Sequence, residues 1–178
     1  MKNKLPQNKK AIVWLCGGHF INDIYTGVLN PIMPFIAAKI GITMAIATII
    51  LTVSHIFSSL LQPLFGYFAD NIVKRSFIFW GLILSSIFIP LSALAHNPFI
   101  LVLFIIFGSI GSSLFHPQAL GFVSKFADKE NTGKAMAVFV AMGTLGYSFG
   151  PIISSAITQF LGMPRMPLMT ILGILWAF

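Results

Sequence analysis

A histidine and a carboxylate sit one helical turn apart in a stretch that is otherwise mostly apolar: His19 and Asp23, within "CGGHFINDIYTGVLNPIMPFIAA", residues 16 to 38. Burial penalises a carboxylate's charge and a neighbouring imidazolium favours it, so a change of shape that alters either balance moves a proton. The bland alternative is that both side chains join helices by hydrogen bonds. Asn22, Thr26 and Asn30 recur with the pair at the spacing of one helical face. A second stripe, Thr48, Thr52, His55, Ser59 and Gln62, follows in the next apolar stretch. Further on, "GSSLFHPQALGF" sets His116 and Gln118 on either side of Pro117. The missing N–H of that proline allows a kink and frees a carbonyl.

These side chains need elements that hold them inside an apolar medium. Of 178 residues, 57% are hydrophobic and 8% charged, with a mean hydropathy of +0.91, whereas a soluble domain is about a quarter charged. Five stretches approach or exceed the ~20 residues that cross a bilayer: 11–38, 44–69, 76–95, 98–123 and 135–158. A sixth, 166–178, would reach only ~20 Å as a helix against a ~30 Å hydrocarbon core. The expectation is an all-α membrane protein with a truncated sixth helix, part of something longer. A β-barrel would show ~10-residue alternating stretches, and none occurs.

Nine of the eleven Lys and Arg residues fall at the N-terminus (Lys2, Lys4, Lys9, Lys10), at Lys74 and Arg75, and at Lys125, Lys129 and Lys134, leaving Lys39 and Arg165 on the other side. The positive-inside rule then puts residues 1–10 in the cytoplasm and the spans in the plasma or inner membrane. Topology accounts for the net charge of +7, and nothing points to nucleic acid, since no basic run is interleaved with aromatics. A signal peptide is disfavoured because the first apolar run is too long and lacks a small-residue cleavage site. Cys16 is the one cysteine, so there is no intrachain disulfide and no CxxC pair.

Counting along the helices from Lys10 places His19 ~14 Å and Asp23 ~20 Å deep, and from Thr43 places His55 ~18 Å deep. All three fall near the midplane. Polar faces on the first two helices, taken as neighbours, predict a polar cavity between them. In the fifth span Gly143, Gly146, Gly150 and Ser154 form a small-residue face for close approach, with Pro151 bending the helix.

"GYFADNIVKR", residues 66 to 75, resembles the loop motif of the major facilitator superfamily through Gly66, Asp70, Lys74 and Arg75; Asn71 and Val73 depart from it. "GYSFGP", Gly146 to Pro151, is similar to the fifth-helix Gly-Pro motif of antiporters in that superfamily. "HFINDIYTGVLNPIMPF", "SSLLQPLFGYFAD" and "GSSLFHPQA" resemble the fosmidomycin resistance protein family of drug efflux transporters. The resemblance runs from about Ala11 to Thr158. It implies the N-terminal six-helix bundle of a twelve-helix transporter, working by alternating access with a substrate site at the midplane. Implied partners are the bilayer, protons, a small drug-like molecule and a second six-helix half; no cofactor or resident metal is expected. His19, Asn22, Asp23, Thr26, Asn30, His55, Gln62, His116 and Gln118 are the candidate substrate and proton pathway. Gly66, Asp70, Lys74, Arg75, Gly146, Gly150 and Pro151 are the candidate conformational residues.

Two rivals stand beside this reading. An intramembrane metal-dependent hydrolase would take His19 and Asp23 as ligands at i and i+4 with His55 as a third, but the His-Glu-x-x-His pattern is absent. The other is a remnant, or a half that is inactive without a partner chain. No phosphate-binding GxxxxGK[ST] loop occurs, which argues against ATP as the energy source.

Overall fold

A lipid-facing backbone must satisfy its own hydrogen bonds, and a helix does so within one segment. The computed structural model describes residues 8–71 and 76–177, the side chains of 69–71 excepted. Among these residues there are six α-helices and no strand: α1 Lys9–Ile40, α2 Met44–Asn71, α3 Ser76–Leu91, α4 Pro98–Phe126, α5 Thr132–Phe160 and α6 Thr170–Ala177. Short 3-10 segments, Ser92–Leu94 and Met163–Met169, follow α3 and precede α6.

Local chemistry explains several boundaries. The Asn8 side chain accepts from Ala11 N at 3.0 Å to start α1, and Gly41 ends it in the left-handed region at φ 74°, where a side chain would be strained. Asn97 caps α4 through Ile100 N at 2.9 Å, with Pro98 opening the helix. Four helical stretches, Met44–Phe68, Ser76–Leu94, Pro98–Phe126 and Thr132–Phe160, are long and apolar enough to cross a membrane. The 32-residue α1 is longer than any of them, and its hydropathy is lowered by His19, Asn22, Asp23 and Asn30. The apolar run Met163–Ala177 is shorter than a span.

Helix α1 is the core element. It packs most extensively on α5, while α4 packs on α3 and on α2. The first and second spans, expected side by side, hardly touch; α4 lies against both. Asn8 N meets Phe126 O at 3.4 Å, and Lys39 Nζ donates to Ala93 O at 3.3 Å. The start of α1 is thus beside the end of α4, and the end of α1 beside the turn that follows α3, as alternating spans require.

Lipid supplies no hydrophobic drive for helix association, so close packing and hydrogen bonds carry it. A Cβ on Gly146 would collide with the Phe20 carbonyl of α1, and one on Gly150 would meet Ile24 O at 2.5 Å and the Gly27 backbone at 2.8 Å. Gly81 and Gly111 play the same part between α3 and α4. The α1 side chain Tyr25, fully buried, ties in α6: its hydroxyl donates to Met169 O and accepts from Gly173 N, both at 2.8 Å.

Candidate functional site

The polar stripe of α1 turns toward α4 and α5. Asp23 Oδ2 lies 3.2 Å from His19 Nε2, and its Oδ1 lies 3.1 Å from His116 Nε2 on α4. Asn22 Nδ2 donates to the same Oδ1 at 3.1 Å and lies 3.2 Å from Ser112 Oγ. Ser85 on α3 donates to Asn22 Oδ1 at 2.8 Å. Asn22 is therefore a fully buried knot joining α1, α3 and α4 beneath the carboxylate rather than a side chain lining an open path.

Helix α5 closes the other side. His19 Nδ1 sits 2.7 Å from Phe139 O, and the two rings stack with centroids 4.0 Å apart. At Gly143, a Cβ would strike the His19 ring and come 2.7 Å from Asp23 Oδ2, so only glycine lets α5 lie over the pair at this distance. On α4, His116 Nδ1 sits 2.7 Å from Ser112 O, one turn back. The His19 and His116 rings meet edge to face, 4.9 Å between centroids.

Exposure is graded across the cluster. The side chains of His19, Asp23 and His116 are 7%, 15% and 24% exposed. Asp23 and His116 border a cavity of about 200 Å³ to which α1 contributes Thr26, α2 contributes His55, Ser58, Ser59 and Gln62, α4 contributes Ser109 and Ser112, and α5 contributes Tyr147. The cavity-lining residues include no Lys or Arg. A larger cavity, about 460 Å³, lies among aromatic side chains such as Trp14, Phe79, Phe115, Phe126 and Trp176, and no titratable side chain lines it.

Asp23, Thr26, His55, Gln62 and His116 thus meet at one cavity, and His19 stands directly behind Asp23. Thr26 Oγ1 bonds back to Asp23 O at 3.0 Å, and Asn30 Nδ2 donates to Tyr147 OH at 3.0 Å. Gln118 is buried and does not line the cavity; α4 runs as one helix through Pro117. The α2 stripe splits. His55, Ser59 and Gln62 reach the cavity, while Thr48 and Thr52 stay on the exposed face, Thr48 bonding to Met44 O of its own helix at 2.8 Å. Helix α2 instead docks through Ser58, whose Oγ lies 2.8 Å from Ser113 Oγ of α4.

Gly146 and Gly150 lie buried against α1, and α5 continues as a helix through the half-buried Pro151. Gly66 faces Pro117, with room for a methyl group at 3.6 Å. The Asp70 side chain, Lys74 and Arg75 lie outside the described residues.

The sequence pointed to His55 as the third candidate ligand beside His19 and Asp23; the side chain that joins them at the carboxylate is His116. The facing atoms of His19, Asp23 and His116 lie within 4.8 Å of one another, near enough to share a small cation. One signal for this was available: Ser112 and His116 repeat on α4 the i, i+4 spacing of His19 and Asp23 on α1. The Phe139 carbonyl, Ser85 and Tyr147 had no such signal.

The family model of the Major Facilitator Superfamily matches residues 15–178. The chain is 31% identical over 140 residues to the fosmidomycin resistance protein of Escherichia coli (strain K12), covering 78% of this chain and 34% of that protein. It is 26% identical to the riboflavin transporter RibZ of Clostridioides difficile (strain 630), covering 98% of this chain and 38% of that protein. With the quinolone resistance protein NorA of Staphylococcus aureus it shares 24% identity over 89% of this chain and 40% of that protein. The chain thus spans between about a third and two fifths of the length of these curated relatives.

Proposed function

The chain belongs to the major facilitator superfamily, and from that premise we propose that it is the membrane-embedded part of a secondary transporter that exports a small drug-like molecule in exchange for protons. Its transport cycle is alternating access, the cavity opening to one side of the membrane and then the other. The observation that carries the reading is the placement of Asp23: a carboxylate inside an apolar bundle, in contact with two imidazoles and bordering a cavity. An intramembrane carboxylate is expensive and marks ion or proton paths. Here its possible partners are titratable, so protons entering the cavity have a place to bind.

The cargo is read as a small organic molecule because two of the relatives are named for resistance to a drug and the third for riboflavin transport. The cavity offers hydroxyls, an amide and imidazoles with no Lys or Arg. An anionic cargo would therefore depend on protonated histidine. The Lys and Arg distribution supports a cytoplasmic N-terminus in the plasma or inner membrane.

A second six-helix half is part of the proposal. Helices α2 and α5 leave Ile49, Val53, Ile56, Leu60, Val140 and Ile152 exposed, on the same helices as exposed His55 and Tyr147. A mixed face of this kind suits a partner bundle better than lipid, which leaves polar groups unmatched.

The test is drug accumulation in cells carrying the transporter or its Asp23→Asn variant at several external pH values. The variant is expected to lose most of its efflux together with its pH dependence. Efflux and pH dependence both equal to wild type would remove Asp23 from the coupling scheme.

A further inference from the structure

Two backbone carbonyls decide which nitrogen of each histidine carries hydrogen. A carbonyl only accepts, so the 2.7 Å contacts of His19 Nδ1 with Phe139 O and of His116 Nδ1 with Ser112 O put a hydrogen on both Nδ1 atoms. Ser112 Oγ, 3.2 Å from His116 Nδ1, is a second and longer acceptor of the same hydrogen. A neutral ring protonated at Nδ1 presents a lone pair at Nε2. Both Nε2 atoms point at Asp23, 3.2 Å from Oδ2 and 3.1 Å from Oδ1. A carboxylate also offers only lone pairs. Each contact is therefore repulsive until a proton occupies it.

We infer that the Asp23 cluster is a two-proton site: both histidines are held as Nδ1–H tautomers, and each of the two Nε2···Oδ contacts holds one proton. Its role in transport rests on the proton-exchange reading above. Empty, the cluster is one carboxylate and two neutral rings, with one net negative charge. The first proton makes it neutral and closes one contact. The second gives it one net positive charge and closes the other. Whether nitrogen or oxygen carries the proton within a contact leaves the count unchanged.

The two contacts differ mechanically. His19–Asp23 lies within α1, whereas His116–Asp23 joins α4 to α1. The second of these borders the cavity and is the more exposed, so its proton exchanges more readily with cavity water, and its loss loosens a contact between helices. Among the described residues lining the cavity there is no Lys, Arg or Glu and no carboxylate besides Asp23, and His55 is the one further titratable histidine. From α5 come the Phe139 carbonyl, Gly143 and the Tyr147 hydroxyl; from α2, His55 and Gln62 line the same cavity. From α3, Ser85 acts through Asn22, whose Nδ2 donates to Oδ1. Oδ1 has two lone pairs, so the hydrogen bond from the Asn22 amide can be kept in all three protonation states and anchors Oδ1 while its proton comes and goes.

Nitrogen-15 NMR of the histidine-labelled chain in lipid nanodiscs, titrated from alkaline to acid pH, reads the tautomers directly. Each histidine follows a different residue (Gly18, Ser54, Ala95 and Phe115), so pairwise isotope labelling assigns each ring without substitution. At the alkaline end His19 and His116 are expected with hydrogen on Nδ1 and a lone pair on Nε2. The exposed His55 and His96 should show the reverse, the tautomer that water favours. On acidification the cluster, followed also by the carbon-13 signal of the Asp23 carboxyl, should take up two protons. An Nε2–H tautomer at either ring at the alkaline end, or uptake of one proton in total, overturns the inference. Nδ1–H tautomers with two-proton uptake, found beside efflux that Asp23→Asn leaves unchanged, would uphold the two-proton site and overturn the coupling reading.

Discussion

Gly146→Ala tests the account of how the bundle is held together. A methyl group there would land on the Phe20 carbonyl of α1, with Phe20 C at 2.8 Å and Phe20 Cα at 3.0 Å. Carbon pairs are comfortable at about 3.5–4.0 Å, so the two helices must part by roughly 0.5–1 Å. The obstacle is backbone within a helix, which cannot rotate aside as a side chain would. The separation is shared with Gly143 and Gly150 on the same face, so contact is lost along the seam. Overpacking of this kind costs about 1–3 kcal/mol. Alanine also favours the helix over glycine by about 1 kcal/mol, and Gly121→Ala isolates that gain, since a Cβ at Gly121 meets nothing within 4 Å. Equilibrium unfolding of purified protein in mixed micelles, with rising denaturing detergent, should place Gly146→Ala about 1–3 kcal/mol below Gly121→Ala. Adding Gly150→Ala to Gly146→Ala should cost less than the sum of the two, because the first change has already opened the seam. Gly146→Ala as stable as Gly121→Ala would refute the close-approach account of α1 and α5.

Three further outcomes follow from single contacts. Tyr25→Phe removes the hydroxyl that bridges Met169 O and Gly173 N and should lower stability in the same assay by about 1–2 kcal/mol, the scale of interhelical hydrogen bonds in membranes. Asn22→Leu removes the acceptor that ties Ser85 of α3 to α1, leaving the Ser85 hydroxyl only its own-helix carbonyls Gly81 O and Leu82 O, and takes the amide donor from the Asp23 carboxylate; it should destabilise by about 1–3 kcal/mol and reduce efflux, both measurable on one preparation. Tyr147→Phe deletes a hydroxyl that lines the cavity and accepts from Asn30; stability should stay within about 0.5 kcal/mol while the apparent affinity for the exported drug falls up to about tenfold. Unaltered drug affinity in that variant would place the cargo elsewhere.

The sequence by itself determined what one helix can carry. Composition required apolar helices, and helical spacing gathered His19, Asn22, Asp23, Thr26 and Asn30 on one stripe and Gly143, Gly146, Gly150 and Ser154 on another; the second set is buried together on α5, while along the first His19 and Asn22 are buried and Asn30 is exposed. Which face meets which helix was decided by the tertiary structure. His116 stands 93 residues from Asp23 along the chain and the Phe139 carbonyl 120 from His19, and no periodicity reports a contact of that range. Helix α4, lying against both α1 and α2, replaced the expected direct contact of the first two spans, left Thr48 and Thr52 outside and turned Gln118 inward. The physical reason is that spacing along a chain constrains direction around one helix axis only. Proton-binding geometry needs atoms from α1, α4 and α5 placed to within tenths of an ångström, and that placement comes from packing several helices at once.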